Sequence, residues 1–393
     1  MSSATDILFV LNGHKYVSYF FEPIAQYARR QGLKVGLAMP LSGLYEEKNW
    51  PLDNKIRRFK AVTSISQIFG FFSEVFQAPF VASKTRILHA VTTHMIFLLL
   101  LRLSIRQERF SGMFVMHFIG LGRALGGAGI LSFIIRAFFK LIWMLRRRKG
   151  LIYRCIYLNE DDLSILKSVF GTNHIKYYKV PGAGIRKERF QFHEKSVAQP
   201  IRLLFLGRLI KEKGIERFIR LIADINRRTD INVIGEVVGG FENPAYEVKI
   251  KKSVNAQKLN NTVNFVGEVK KPEAYYQNAH FFIFPSYYGE GVPTVLLESQ
   301  YCGTPCLASN IAGCREAVLD GVTGRLVTSA SAEDWFSEFM KILEDMDYKE
   351  MCTQAHDWVR DRFDAKCLAT KTIDWLIMEH ETNKLGTGHA ASD

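Results

Sequence analysis

In "LFLGRLIKEKG", residues 204 to 214, Gly207 ends an apolar run, and Arg208 and Lys213 bracket a short loop that runs into a helix-like stretch. A strand-to-helix turn with two cations suits a diphosphate: the guanidinium gives paired hydrogen bonds, the ammonium a point charge, and the helix start its free amides. A solvated turn would carry the same two residues. A second such turn, "GEGVPTVLLE" at 289 to 298, follows "FFIFPS" and sets Glu290 and Glu298 on either side of a Gly, a Pro and an apolar run. Gly291 permits close backbone approach, Pro293 suits a first helical position, and the amides near Gly291 and Val292 would point at a ligand. Glu290 could accept hydrogen bonds from sugar hydroxyls and Glu298 from a diol such as ribose. Carboxylates near a helix start also serve as plain partners of the helix dipole.

The elements that would hold these loops alternate strand and helix. "DILFVL", a helix in "FEPIAQYARRQ" stopped by Gly32, and "KVGLAMP" form a βαβ unit; "TRILHAV" and "FVMHFIG" extend a parallel sheet. The polar stretch "QFHEKSVAQP", 191 to 200, precedes "IRLLFLG", where the alternation restarts and continues through a helix near 214 to 227, "INVIGEVV", "VNFVG", "HFFIFPS" and "PCLAS". The expectation is an α/β chain of two doubly wound, Rossmann-like parallel-sheet domains facing across a cleft, with loops at the C-terminal strand ends carrying the ligands. The domains are expected at 1–190 and 191–362, with a helix at 363–383 packing back on the first and a disordered tail at 384–393.

The 393 residues allow two cores, and 48% hydrophobic residues favour a folded globular protein. Fifty-two basic against thirty-nine acidic residues leave a formal charge of +13, which favours anionic partners: phosphorylated metabolites, an acidic membrane face or nucleic acid. Six cysteines without regular spacing fit a reduced, cytoplasmic protein, and Cys302 and Cys306 read as small buried residues, not metal ligands. The start "MSSATDILFVLNG" lacks the features of a secretion signal, and "MIFLLLL" falls short of the about 20 residues a spanning helix needs.

The stretch "FPSYYGEGVPTVLLESQYCGTPCLASNIAGCREAVLDGVTGRLV" resembles the nucleotide-binding region of retaining GT-B glycosyltransferases of family 4. That pattern has two glutamates with seven residues between them, then G-x-P, then E-x-V-x-x-G-x-x-G-x-L-V; here these are Glu290 and Glu298, Gly303 and Pro305, and Glu316, Val318, Gly321, Gly324, Leu326 and Val327. "GRLIKEKG", "NEDD" at 159 to 162 and "VPGAGIRKERF" extend the likeness, and "NIAGCREAV" with "HFIGLG" is most similar to the branch that builds bacterial capsule, O-antigen and lipid-linked oligosaccharides. The resemblance implies that Arg208 and Lys213 hold the donor diphosphate, Glu298 the ribose and Glu290 the transferred sugar. The amides of Gly291, Val292 and Thr294 beside Pro293 would complete the donor site, and Gly13 would let the first domain approach the diphosphate. Family members place a histidine after an N-terminal strand to contact the donor sugar. His117 stands two positions early for this, and His14 and His89 are its rivals.

The implied reaction retains configuration, transfers a hexosyl or N-acetylhexosaminyl group from a nucleotide sugar, a UDP-sugar foremost, and uses no metal and no cofactor. Arg208, Lys213 and the helix amides would stabilise the departing diphosphate. The implied acceptor is a saccharide on a polyprenyl diphosphate. Rival readings are a same-fold nucleotide-sugar enzyme of another reaction type and a basic membrane- or nucleic-acid-binding protein. Nucleic acid is disfavoured because the main cationic cluster adjoins an apolar stretch without exposed aromatic interleaving.

That stretch, "ILSFIIRAFFKLIWMLRRRKGLIYR" at 130 to 154, carries seven cations from residue 136 on and no acid. Read as a helix, it is either a core helix with a solvated basic end or an amphipathic helix on an anionic membrane surface through Arg136, Lys140, Trp143, Arg146, Arg147, Arg148 and Lys149. The second reading expects a cytoplasmic protein held peripherally at the inner face of the membrane.

Overall fold

A computed structural model describes residues 5–11, 21–40, 57–59, 85–105, 110, 112–127, 129–146, 151–287, 289–345 and 347–388. The chain divides into two compact units, residues 1–183 with 365–393, and residues 184–364.

The first unit is built on a parallel sheet of β1 (Ile7–Val10), β2 (Val35–Pro40), β3 (Arg57–Phe59), β4 (Ile87–Val91), β5 (Met113–His117), β6 (Ile152–Tyr157) and β7 (Ile175–Lys179), in the order β3-β2-β1-β4-β5-β6-β7. β1, β4 and β5 are buried at every residue, because helices cover both faces of such a sheet. The pleat divides their side chains. Leu8, Val10, Leu88, Ala90, Phe114 and Met116 join a core shared with Met95, Leu99, Phe139, Trp143 and Phe170. Ile7, Phe9, Ile87, Met113 and Val115 join the opposite core with Ile24, Ala25, Leu368, Ile373 and Leu376. The "NEDD" segment starts the helix Glu160–Phe170: the Asn159 side chain caps it by accepting from the Asp162 amide at 2.9 Å, and three acids occupy the first turn.

The last helix, Ala365–Gly388, belongs to this first unit. Its Asp374 accepts from the Tyr27 hydroxyl at 3.0 Å, and its Trp375 stacks on Tyr178 with centroids 4.6 Å apart. Glu379, buried, accepts from the Arg154 Nε at 2.8 Å and from Lys176 at 3.1 Å. The helix continues past residue 383, where the sequence suggests a disordered tail, because extending a formed helix costs far less than starting one. Residues 389–393 lie outside the described residues.

The stretch 130–154 is not one helix. The helix Ile130–Arg146 ends ahead of β6, whose β-branched and aromatic residues pair with β5 and β7. Arg154 lies in that strand, where the buried pair with Glu379 compensates its charge.

The second unit carries β8 (Ile201–Leu206), β9 (Val233–Val238), β10 (Val263–Gly267), β11 (Phe281–Phe284), β12 (Cys306–Ser309) and β13 (Gly324–Val327) in one parallel sheet of order β10-β9-β8-β11-β12-β13. The helix Ile215–Arg228 turns Phe218, Ile219, Leu221, Ile222 and Ile225 inward at helical spacing. The strand order reverses between β8 and β11, so the loops leaving these two strands lie at the topological switch point, the usual ligand position in such sheets.

Candidate functional site

The loop leaving β8 and the loop leaving β11 are joined. The Tyr287 amide donates to the Glu212 carbonyl at 3.0 Å, and the Ser286 hydroxyl donates to the same carbonyl at 3.3 Å. Gly214 makes this approach possible. Its φ is +80°, and a Cβ there would lie 2.2 Å from the Pro285 carbonyl oxygen. Arg217, one turn further on, donates to the same carbonyl at 3.2 Å and covers the Tyr287 ring at 4.9 Å from its centroid.

Lys213 closes a single 3-10 turn, Lys211–Lys213, and its ammonium forms an ion pair with Glu290 from the other loop. Both side chains are about 15% exposed, at 16% and 15%, so the pair meets solvent at one edge only. The Ser286 hydroxyl also lies 3.1 Å from the same Glu290 oxygen, so its one proton is shared between that carboxylate and the Glu212 carbonyl, and the Lys213 ammonium lies 5.3 Å from the Phe284 ring centroid. Arg208, at the head of the first loop, is exposed and pairs at 3.0 Å with Glu242, which follows β9.

The helix Thr294–Tyr301 opens beside Glu290, with Pro293 at the cap position, one residue earlier than the first helical position read from sequence. Val292 is buried, while Gly291 and Thr294 are half-buried. The Gly291 carbonyl lies against Gly313, where a Cβ would sit 1.9 Å from its oxygen. The glycine in "NIAGCREAV" therefore leaves room for the glutamate loop. Glu298 faces inward from this helix at 4% exposure and accepts from the Tyr276 hydroxyl at 2.8 Å. Burial raises its pKa to about 7, with Tyr276 and Arg189 opposing that rise.

Arg208, Lys213, Glu290, Gly291, Val292, Pro293, Thr294 and Glu298 thus all lie on the two switch-point loops and the helix that follows the second. Ser286, Arg217 and Tyr276 were missed. Ser286 ends the "FFIFPS" stretch four residues before Glu290, so adjacency could have found it; Tyr276 lies 22 residues before Glu298 and gives no local signal.

In the first unit, Gly13 and His14 lie outside the described residues. His117 ends β5 and is buried, and its Nδ1 meets the His89 Nε2 at 3.1 Å. Burial pushes the His117 pKa down to about 3 and holds that of His89 well below its ordinary value, the neighbouring His117 adding to the latter. Both imidazoles are neutral core groups, and His117 also lines a small cavity with Ile24, Val180, Leu368 and Thr372. The structure thus places His117 in the core of the first unit, at the end of a strand covered on both faces.

Two of the cationic-surface expectations are corrected. The Arg136 guanidinium donates to the Leu125 and Gly127 carbonyls, and Trp143 is buried with its ring edge-on to Tyr153 and Phe170 at 4.7 and 5.3 Å. Both lie on the core side of their helix. Lys140 is exposed, and Arg146 ends the helix. Arg147, Arg148 and Lys149 lie outside the described residues. Among the described residues, no helix is long and apolar enough to cross a membrane, and no group of three His, Cys, Asp or Glu could hold a metal ion.

Comparison with known proteins bears on this arrangement. Residues 186–357 match the family model of glycosyl transferases group 1. An uncharacterized glycosyltransferase of Methanocaldococcus jannaschii is 30% identical over 214 residues, 53% of this chain and 51% of the relative. The N,N'-diacetylbacillosaminyl-diphospho-undecaprenol alpha-1,3-N-acetylgalactosaminyltransferase of Campylobacter jejuni is 25% identical over 226 residues, 56% of this chain and 57% of the relative. The match to each therefore spans little more than half of the relative's length. The solved structure of Anabaena HepE with UDP and glucose superposes with a TM-score of 0.70, covering 95% of this chain and all of that one at 16% identity. That likeness shows the fold. Residues 186–357 are thus similar to glycosyl transferases group 1, and the chain has the GT-B fold.

Proposed function

We propose that the chain is a retaining, metal-independent glycosyltransferase that moves a hexosyl or N-acetylhexosaminyl group from a UDP-sugar to a lipid-linked saccharide. The observation that carries this reading is the meeting of Lys213 and Glu290 across the two switch-point loops, beside the start of the helix Thr294–Tyr301. One cation and one carboxylate, held together at a helix start, suit a group that is anionic at its diphosphate and hydroxylated at its sugar. The relative acting on a diphospho-undecaprenol saccharide and the HepE complex with UDP support the acceptor and donor classes.

Cleavage of the sugar–phosphate bond develops positive charge on the sugar ring and negative charge on the departing diphosphate. Lys213, Arg208 and the amides of Gly291 to Thr294 stabilise the leaving group, so its charge is met by the chain itself. Binding replaces internal partners: the diphosphate takes Arg208 from Glu242 and shares Lys213 with Glu290. The freed Glu290 oxygen accepts from the transferred sugar's hydroxyls, and Glu298 accepts from the ribose. The acceptor hydroxyl attacks from the face the diphosphate leaves and passes its proton to the departing phosphate oxygen. His117 takes no part.

This reading puts the activity at the cytoplasmic face of the membrane, in the building of bacterial surface polysaccharide or glycan. The test is release of nucleotide from a panel of UDP-, GDP- and ADP-sugars in the presence of EDTA, with and without a polyprenyl-diphosphate saccharide. The expected result is slow release from one donor, accelerated by acceptor, with an unchanged anomeric configuration in the product. Inversion of configuration, a requirement for metal or absence of turnover with every donor would overturn the corresponding part of the reading.

A further inference from the structure

The helix Ile130–Arg146 is apolar on both sides. Ser132, Phe139, Ile142 and Trp143 turn inward and are buried, with Phe139 4.9 Å from Phe97, ring centroid to centroid. On the opposite side Ile130, Leu131, Phe133, Ile134, Phe138, Leu141 and Met144 are 47% to 81% exposed. At 100° per residue these seven fall on one continuous face, too large to be the scattered apolar exposure of an ordinary surface. Lys140 is exposed at its edge, no acid occurs in the helix, and the sequence runs on through Arg146, Arg147, Arg148 and Lys149.

We infer that this outward face enters the interfacial layer of a lipid bilayer rich in anionic head groups. Phenylalanine and aliphatic side chains seat in the acyl boundary, and Lys140 lies at head-group level. The apolar residues, not Arg136 or Trp143, supply the attachment. Charge favours lipid over a second copy of the chain. Lys140 lies near the middle of the helix, so a twofold contact burying this face would bring two lysines together with no acid on either helix to separate them. The inference rests on this helix alone and is independent of the donor-site reading.

The test is co-sedimentation of the full chain with vesicles of phosphatidylcholine alone or with phosphatidylglycerol. The expected result is strong binding to the anionic vesicles and weak binding to the neutral ones. F138S/L141S, with melting temperature retained, should lower the partition coefficient about tenfold or more, since both side chains lie on the inserted face. I130S/L131S, at the most exposed end of the helix, provides the same comparison should the first variant misfold. K140E should reduce the preference for phosphatidylglycerol. Failure of the wild type to bind anionic vesicles, or binding by the serine variants equal to wild type, would overturn the inference. So would a dimer in light scattering that the serine variants dissociate, because a second copy would then cover the face.

Discussion

The Lys213 ammonium rests on the Glu290 carboxylate, joining the loop that leaves β8 to the loop that leaves β11. In the proposed reaction this pair has two tasks, holding the loops together when empty and dividing between phosphate and sugar when a donor enters. Lys213→Ala should lower kcat by about 10²–10³-fold, the loss typical of one group stabilising transition-state charge. Glu290→Gln should also lower kcat, and the double variant should lose less than the sum of the two, because the residues share one interaction. Steady-state rates of the three variants with one donor check this. Additive losses would show that the two residues act separately.

In the proposed donor site, Glu298 should make nucleotide binding depend on pH. Its pKa is raised in the fold to about 7 from an ordinary 4.5, chiefly by burial. The folded chain therefore holds this proton more tightly than the unfolded chain. Its contribution to stability is full below about 4.5 and is lost as pH rises through about 7. The ionised form accepts from a ribose diol, so UDP affinity should rise between pH 6 and 8, with a midpoint of about 7. Tyr276→Phe removes a hydrogen bond that lowers this pKa and should move the midpoint upward. Titration calorimetry across pH measures both effects.

The exposed pair Arg208 and Glu242 should separate binding from stability. Glu242→Ala should change stability by less than about 1 kcal/mol, as exposed pairs do, and leave UDP affinity equal or higher because the guanidinium is released. Arg208→Ala should weaken UDP about tenfold, the loss of one charge-assisted contact. Thermal melts and UDP titrations of both variants decide the matter.

Gly313 and Gly214 test the loop packing without touching a charged group. Gly313→Ala puts a Cβ within 1.9 Å of the Gly291 carbonyl oxygen, and Gly214→Ala adds a left-handed backbone to a 2.2 Å approach on Pro285. Each should cost about 1–3 kcal/mol of stability and reduce donor turnover by displacing the glutamate loop. Chemical denaturation with parallel rate measurements would show turnover falling beyond what the folded fraction explains.

The parts of this arrangement that sequence made legible are local ones. The alternation of buried strands with helices marks both parallel sheets, and the loops that meet at the second switch point each carry their charged residues within ten positions of one another. What sequence hides is partnership over distance and the choice between two apolar faces. Arg154 reads as one more cation in a basic run, because Glu379 stands 225 residues away. Trp143 and Phe138 are equally apolar, and helical periodicity alone does not tell which of them meets the core. His117 reads as a strand-end ligand group, yet His89 from the adjacent strand occupies its Nδ1.

The most direct test of the account is calorimetric titration of UDP into the full chain at pH 8, for the wild type and for Lys213→Ala and Glu298→Ala. The expected result is saturable binding at one site, lost or sharply weakened in both variants while their melting behaviour shows them folded. Absence of UDP binding by the wild type, or binding unchanged in both variants, would contradict the assignment of the switch-point loops as a nucleotide-sugar site.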